Sequence, residues 1–161
     1  MQDRGPFLEA AAAILGQRGL TYDPELMQPW LTDWRGRFTG QALAMASPAS
    51  TAEVAALVRL CAEHRVPIVP QGGNSGMSGG ATPDGSGSAL LLSLRRMDRI
   101  RMFDPAAREA VCEAGVVLRP SVLRDAGIGD LADERLLVGE VPVESGRGYP
   151  GPVGDGAHGD A

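Results

Sequence analysis

The residues with the clearest chemical use form one run, Pro70-Gln71-Gly72-Gly73-Asn74-Ser75-Gly76-Met77-Ser78-Gly79-Gly80. The stretch from Gln71 to Ser88 holds seven of the chain's 22 glycines. Glycine lets a backbone take positive φ or come close to another group. Successive N–H groups turned inward form an anion-binding nest. Asn74 and Ser75 add side-chain donors, and no positive side chain lies in the loop, so backbone dipoles would hold the anion. These ingredients suit a pyrophosphate. The competing reading is a plain surface connection, since a glycine-rich loop without a defined motif is often no more than that.

Two familiar phosphate loops are excluded. GxxxxGK[ST] needs a lysine, and all 15 basic residues here are arginine. GxGxxG opens a helix, whereas an apolar strand pattern, Ala89 to Leu94, follows this loop. Without lysine there is no Schiff base and no lysine general base. His64 and His158 are the only histidines, too few for a Ser/His/Asp arrangement or a histidine metal cluster. His64 is expected on the surface at a helix end, where a cation suits the macrodipole.

The loop needs elements to hold it. Val66 to Val69 reads as a short strand before it. Upstream, Ala52 to His64 carries Val54, Leu57, Val58 and Cys61 at i, i+3, i+4 and i+7, the stripe of an amphipathic helix. Ser50 and Glu53 have the spacing of a capping box, and Arg65 closes the helix. Ala42 to Ala46 is a short apolar run that reads as a strand before that helix, which makes a strand–helix–strand crossover of parallel type. Phe7 to Arg18 reads as a first helix stopped by Gly19. Residues 20–40 read as an irregular lead-in that packs Trp30 and Trp34 onto the domain, with an Asp33–Arg35 ion pair closing a turn. Strands at Ile100–Phe103 and within Glu109–Leu118, the latter ending near Gly115, complete the unit.

With 43% hydrophobic and 22% charged residues in 161, the chain suits one soluble domain with a core. Aromatics make up only 4%, so that core rests on Val, Leu, Ile and Ala. The net charge of −5 arises mostly after residue 118, where eight acids face four arginines. No basic stripe points to nucleic acid, and no apolar run of about 18 residues points to a membrane span. Cys61 and Cys112 lack metal-ligand spacing and read as buried free thiols, which fits a reducing cytoplasm.

The ordered set of segments resembles a family. Thr32-Asp33-Trp34-Arg35-Gly36, Ser47-Pro48-Ala49-Ser50-Thr51-Ala52-Glu53-Val54, Val66-Pro67-Ile68-Val69-Pro70, the glycine run and Val111-Cys112-Glu113-Ala114-Gly115-Val116 are similar to the FAD-linked oxidases. These have a vanillyl-alcohol-oxidase or p-cresol-methylhydroxylase (PCMH) type of FAD domain, and the nearest branch is that of D-lactate, glycolate and D-2-hydroxyglutarate dehydrogenases. The resemblance covers roughly residues 20–118. It implies an α/β fold: the N-terminal subdomain of a PCMH-type FAD-binding domain, a small mostly parallel sheet with helices. It implies that Gly72, Gly73, Asn74, Ser75, Gly76 and Met77 bind the FAD pyrophosphate, mainly through backbone N–H, with Pro70 and Gly80 framing the turn. Some relatives attach flavin through a histidine in this loop. None stands here, so FAD is expected to be non-covalent.

In full-length members of the family the flavin takes hydride from the hydroxyl-bearing carbon of a small 2-hydroxy acid. No catalytic residue for that step is expected here. The organisation expected is a lead-in over 1–40, an FAD-binding subdomain over 41–118 and an irregular tail over 119–161. From Gly139 onward seven glycines and three prolines occur without periodicity. The tail resembles a shifted reading frame of a GC-rich gene, so a truncated or frameshifted N-terminal portion of doubtful activity is expected. The alternative is a non-catalytic FAD- or phosphate-binding fragment.

Overall fold

A computed structural model describes residues 4–16, 18–104, 106–107 and 109–117. The expectations placed on 119–161, including a helical turn at 122–126 and any part for His158, lie outside the described residues. The first helix, α1 (Gly5–Leu15), starts with Pro6, whose fixed φ suits a first turn. It ends at Gly16, which takes φ +67°, and not at Gly19 as expected. Gly19 serves a different need: a Cβ there would sit 2.5 Å from the Leu15 Cβ.

Residues 20–40 are more ordered than their composition implies. Strand β1 (Leu20–Thr21) pairs antiparallel with β2 (Ala44–Ala46). Between them lie the short helix α2 (Pro24–Met27), capped by Asp23 Oδ1 accepting from the Glu25 N–H, and a 3₁₀ turn at Gln28–Trp30. Thr32 and Thr39 form an isolated antiparallel bridge.

Helix α3 (Thr51–His64) links β2 to β3 (Ile68–Gln71). The Ser50 hydroxyl accepts the Glu53 N–H at 3.2 Å, as a cap should. The returning arm is displaced by one residue: Glu53 Oε2 accepts from Ala49 N–H at 2.8 Å, not from Ser50. The buried stripe is Leu57, Leu60 and Cys61, while Val58 is 46% exposed against expectation. α1 lies along α3 and selects which flank is covered. Phe7 joins the same core cluster and meets the exposed His64 ring edge-on at 5.7 Å. Arg65 ends α3 in the left-handed region, φ +53°.

The sheet order is β1-β2-β4-β3, with β4 (Leu90–Ser93) parallel to both β2 and β3. The α3 crossover therefore skips one position, and β4 later fills it. Every residue of β2 and β4 is buried, as befits central strands covered on both faces. Alternation sorts their side chains. Ala44, Ala46, Leu90 and Leu92 join α1 and α3. Met45 and Leu91 face the other way, with Met27 and the partly buried Trp30 and Leu31. Pro70 is exposed and stands in register with Leu92 on β3, at the end of the sheet order, where a missing N–H is tolerated.

Strands β5 (Ile100–Asp104) and β6 (Glu109–Cys112) form a separate antiparallel hairpin. β6 stops at Cys112, short of the end expected near Gly115. Glu113 to Val116 turn instead, with Val116 N–H donating to Glu113 O, while Gly115 passes close to the backbone just after β4 and donates its N–H to Met97 O. A Cβ on Gly115 would sit 1.9 Å from Leu94 O. Cys112 is exposed, contrary to the buried thiol expected. Glu113 bonds Arg101 at 2.9 Å, and that bond, with the Arg99 N–H, holds its carboxyl below the usual range. No helix among the described residues is long and apolar enough to cross a membrane.

Candidate functional site

β3 and β4 are parallel neighbours, so the chain must return along the sheet between them. Such connections are usually helical. Here residues 72–89 make the return with no helix. Gly72 thus leaves the carboxyl end of β3, the region where open α/β sheets bind ligands. The far end of the return is tied to the start of β2: Gln41 N–H donates to Asp84 O and Leu43 N–H to Ala89 O, both at 2.8 Å. Gly40 has no room for a side chain there, since a Cβ would lie 1.8 Å from Pro83 O.

Among the described residues, no acceptor receives a hydrogen bond from any backbone N–H between Gly72 and Gly80. A Cβ on Gly73, Gly76 or Gly80 would meet nothing within 4 Å, and one on Gly72 only Ala114 O at 3.5 Å. The loop therefore presents a run of unpaired donors on a backbone that a ligand can approach, the requirement for a nest. Asn74 takes φ +52° and Gly79 φ +75°, so the run bends repeatedly. Gly79 lies against Phe38, where a Cβ would come within 3.0 Å of the ring. Ser75 and Met77 are exposed, Met77 to 57%.

Two side chains fix the first part of this loop to the lead-in. Gln71 is 1% exposed, and its Nε2 donates to Trp30 O at 2.9 Å and to Ala81 O at 2.8 Å. Asn74 Nδ2 donates to Thr32 O at 2.8 Å. One proton of the Asn74 amide is thus engaged by protein, and the other has no acceptor among the described residues. Gln71 was not among the candidate residues. Its signal was present, as the one amide directly after the apolar run Ile68-Val69-Pro70.

The lead-in turn is closed by Asp33 without an ion pair to Arg35. Asp33 Oδ1 accepts the Arg37 N–H at 2.7 Å and the Phe38 N–H at 2.9 Å. These donors, Phe38 foremost, hold its carboxyl below the usual range against the opposing effect of burial. Arg35 stacks on Trp34 instead, 5.1 Å from the ring centre. Trp34 is 58% exposed, not packed in the core. Trp30 is partly buried, and Arg95 covers it at 4.8 Å. Trp30, Asp33, Trp34, Gly73 and Asn74 line an open groove of roughly 470 Å³ at the start of the loop. Among the described residues no group of His, Cys, Asp and Glu could hold a metal ion.

Comparison with known proteins agrees with this geometry. Residues 42–121 match the model of a family described as FAD binding domain, reaching three residues beyond the expected limit at Leu118. The probable mitochondrial D-2-hydroxyglutarate dehydrogenase of Oryza sativa subsp. indica is 38% identical over 106 residues, 66% of this chain and 19% of that protein. The mitochondrial D-2-hydroxyglutarate dehydrogenase of Bos taurus is 36% identical over 111 residues, 69% of this chain and 20% of that protein. The quinone-dependent D-lactate dehydrogenase of Haemophilus influenzae is 32% identical over 108 residues, 65% of this chain and 19% of that protein. This chain thus spans about a fifth of the length of these relatives. Among solved structures, an alkyldihydroxyacetonephosphate synthase aligns with a TM-score of 0.65 and 22% identity, over 78% of this chain and 26% of its own. A p-cresol methylhydroxylase aligns with a TM-score of 0.61 and 21% identity, over 76% of this chain and 25% of its own. The parallel sheet, its glycine-rich return and these likenesses converge on one conclusion: residues 42–121 belong to the FAD-binding domain family, in its PCMH-type fold, with the D-2-hydroxyglutarate and D-lactate dehydrogenases as relatives.

Proposed function

We propose that the return between β3 and β4 holds the pyrophosphate of FAD, non-covalently, in the N-terminal portion of a D-2-hydroxy-acid dehydrogenase or oxidase. The observation that carries this is the run of unpaired N–H groups from Gly72 to Gly80. Gly72, Gly73, Asn74, Ser75, Gly76 and Met77 offer these donors. Pro70 and Gly80 bracket them. Oriented dipoles in a fixed loop favour an anion without any cationic side chain. No histidine stands in the loop to bond the flavin covalently.

When bound, the flavin would supply hydride acceptance from a hydroxyl-bearing carbon. This chain's own residues bind and orient the cofactor, and none is assigned a catalytic role. The substrate class, a small 2-hydroxy acid, is carried over from the names of the relatives. The segment organisation at 1–40, 41–118 and 119–161 is part of the same proposal. Cys61 and Cys112 are free thiols, which suits a reducing compartment. The cytoplasm is the one proposed, although several relatives are named as mitochondrial.

The test is flavin uptake by the full 161-residue chain. Gel filtration after mixing with FAD should give a yellow protein that releases all its flavin on denaturation. A colourless protein overturns the reading, and flavin retained by the denatured chain overturns its non-covalent part. Uptake of ATP or phosphate but not FAD would favour a general phosphate-binding domain. With D-lactate or D-2-hydroxyglutarate and a dye acceptor, no turnover is expected from this chain alone.

A further inference from the structure

The loop's donors are unpaired, yet a nest works only if its shape is set before the anion arrives. Unpaired glycine-rich backbone does not set its own shape. We propose that Gln71 is a positioning residue for the cofactor loop, and that with Asn74 it fastens the loop to lead-in carbonyls outside the matched domain. This rests on the pyrophosphate reading above.

Three hydrogen bonds carry the inference. Gln71 commits both amide protons, one to Trp30 O and one to Ala81 O. Its side chain thereby joins the loop's first residue to its middle and to the lead-in. Asn74 commits its amide to Thr32 O. Alternate carbonyls of the lead-in, Trp30 and Thr32, are therefore gripped by side chains three residues apart in the loop. The matched domain begins at residue 42, so both carbonyls lie before it. Gln71 is buried to 1% exposure, which keeps it from touching a ligand itself. Its Oε1 has no partner among the described residues, so the two bonds are made at the cost of one orphaned acceptor. Asn74 holds a left-handed conformation that glycine would adopt more easily. A residue chosen for backbone ease alone would be glycine, as at Gly79 with φ +75°.

The experiment measures FAD affinity and apo thermal stability of the full chain with Gln71→Met, Gln71→Glu and Asn74→Gly. Pre-organisation lost on this scale should weaken FAD binding by about tenfold. Asn74→Gly is the informative case for fold damage, because relief of the positive φ offsets the lost Thr32 bond and its midpoint should stay near the parent's while its FAD affinity falls. Gln71→Glu adds a pH signature. Its carboxylic acid can donate to a carbonyl only when neutral, so FAD affinity should recover as pH falls, while the parent stays flat. Should Gln71→Met fail to fold, the other two variants decide. Folded variants that bind FAD within threefold of the parent, with no pH recovery in Gln71→Glu, overturn the proposal. A parent chain that binds no FAD overturns instead the pyrophosphate reading on which it rests.

Discussion

Two connections in this molecule do the same topological work. Each carries the chain from the carboxyl end of one parallel strand back to the start of another. Between β2 and β3 the return is α3, which pairs its own N–H groups, caps itself with Ser50 and buries Leu57, Leu60 and Cys61. Between β3 and β4 the return pairs none of the N–H groups from Gly72 to Gly80 with the described residues and takes its shape from outside contacts. Those contacts come from Gln71, Asn74, Phe38 and the close approach at Gly40. The difference separates two uses of backbone. A helix uses its donors for its own stability, while the glycine-rich return leaves them open and takes its support from its surroundings.

The contrast predicts a large effect in the helical return. Leu57→Ala removes a side chain of 0% exposure from the cluster that joins α1, α3 and the sheet. A loss of about 2–5 kcal/mol is expected, read by urea unfolding. A loss below about 1 kcal/mol would mean that α3 is not the stabilising return. In the other return the comparable site is not a buried side chain but the absence of one. Gly40→Ala places a Cβ 1.8 Å from Pro83 O, which is backbone and cannot swing away. A destabilisation of about 1–3 kcal/mol is expected from such overpacking. FAD affinity should fall with it, since the loop is displaced from its support.

Capping comes next in size. Ser50→Ala deprives the Glu53 N–H of its acceptor and should cost about 1 kcal/mol. A comparable change has the opposite sign at the other end. Arg65 closes α3 at φ +53°, and Arg65→Gly should stabilise by up to about 1 kcal/mol. Thermal unfolding of the two variants should move the midpoint in opposite directions. Both should leave FAD affinity unchanged, because neither residue supports the glycine-rich return.

How much of this was legible in the sequence follows the same division. α3 was readable because its determinants are local: the Ser50 cap, the apolar period and the stop at Arg65. Where it was misread, at Val58 in place of Leu60, both residues flank one stripe and only the position of α1 decides between them. The glycine run and the strands around it were also readable, as was the absence of a phosphate lysine. The supports of the loop were not. Gln71 and Asn74 bond carbonyls 41 and 42 residues away, and a carbonyl carries no residue-type signal. The same blindness to distant partners explains Trp34, left exposed under Arg35, and Asp33, paired with backbone where an arginine was expected.

The smallest expected change in stability tests the division most directly. Gly73 lies in the run of unpaired donors, its φ is not positive, and a Cβ there would meet nothing within 4 Å. Gly73→Ala therefore strains nothing in the free protein. By restricting the unfolded chain it should leave stability equal or raise it by about 0.4–1 kcal/mol. The added methyl nonetheless stands beside donors that a pyrophosphate must reach. FAD affinity should drop while the unfolding midpoint holds or rises. Were stability to fall and affinity to persist, the space around Gly73 would belong to the fold and not to the cofactor. The two returns would then differ in composition but not in purpose.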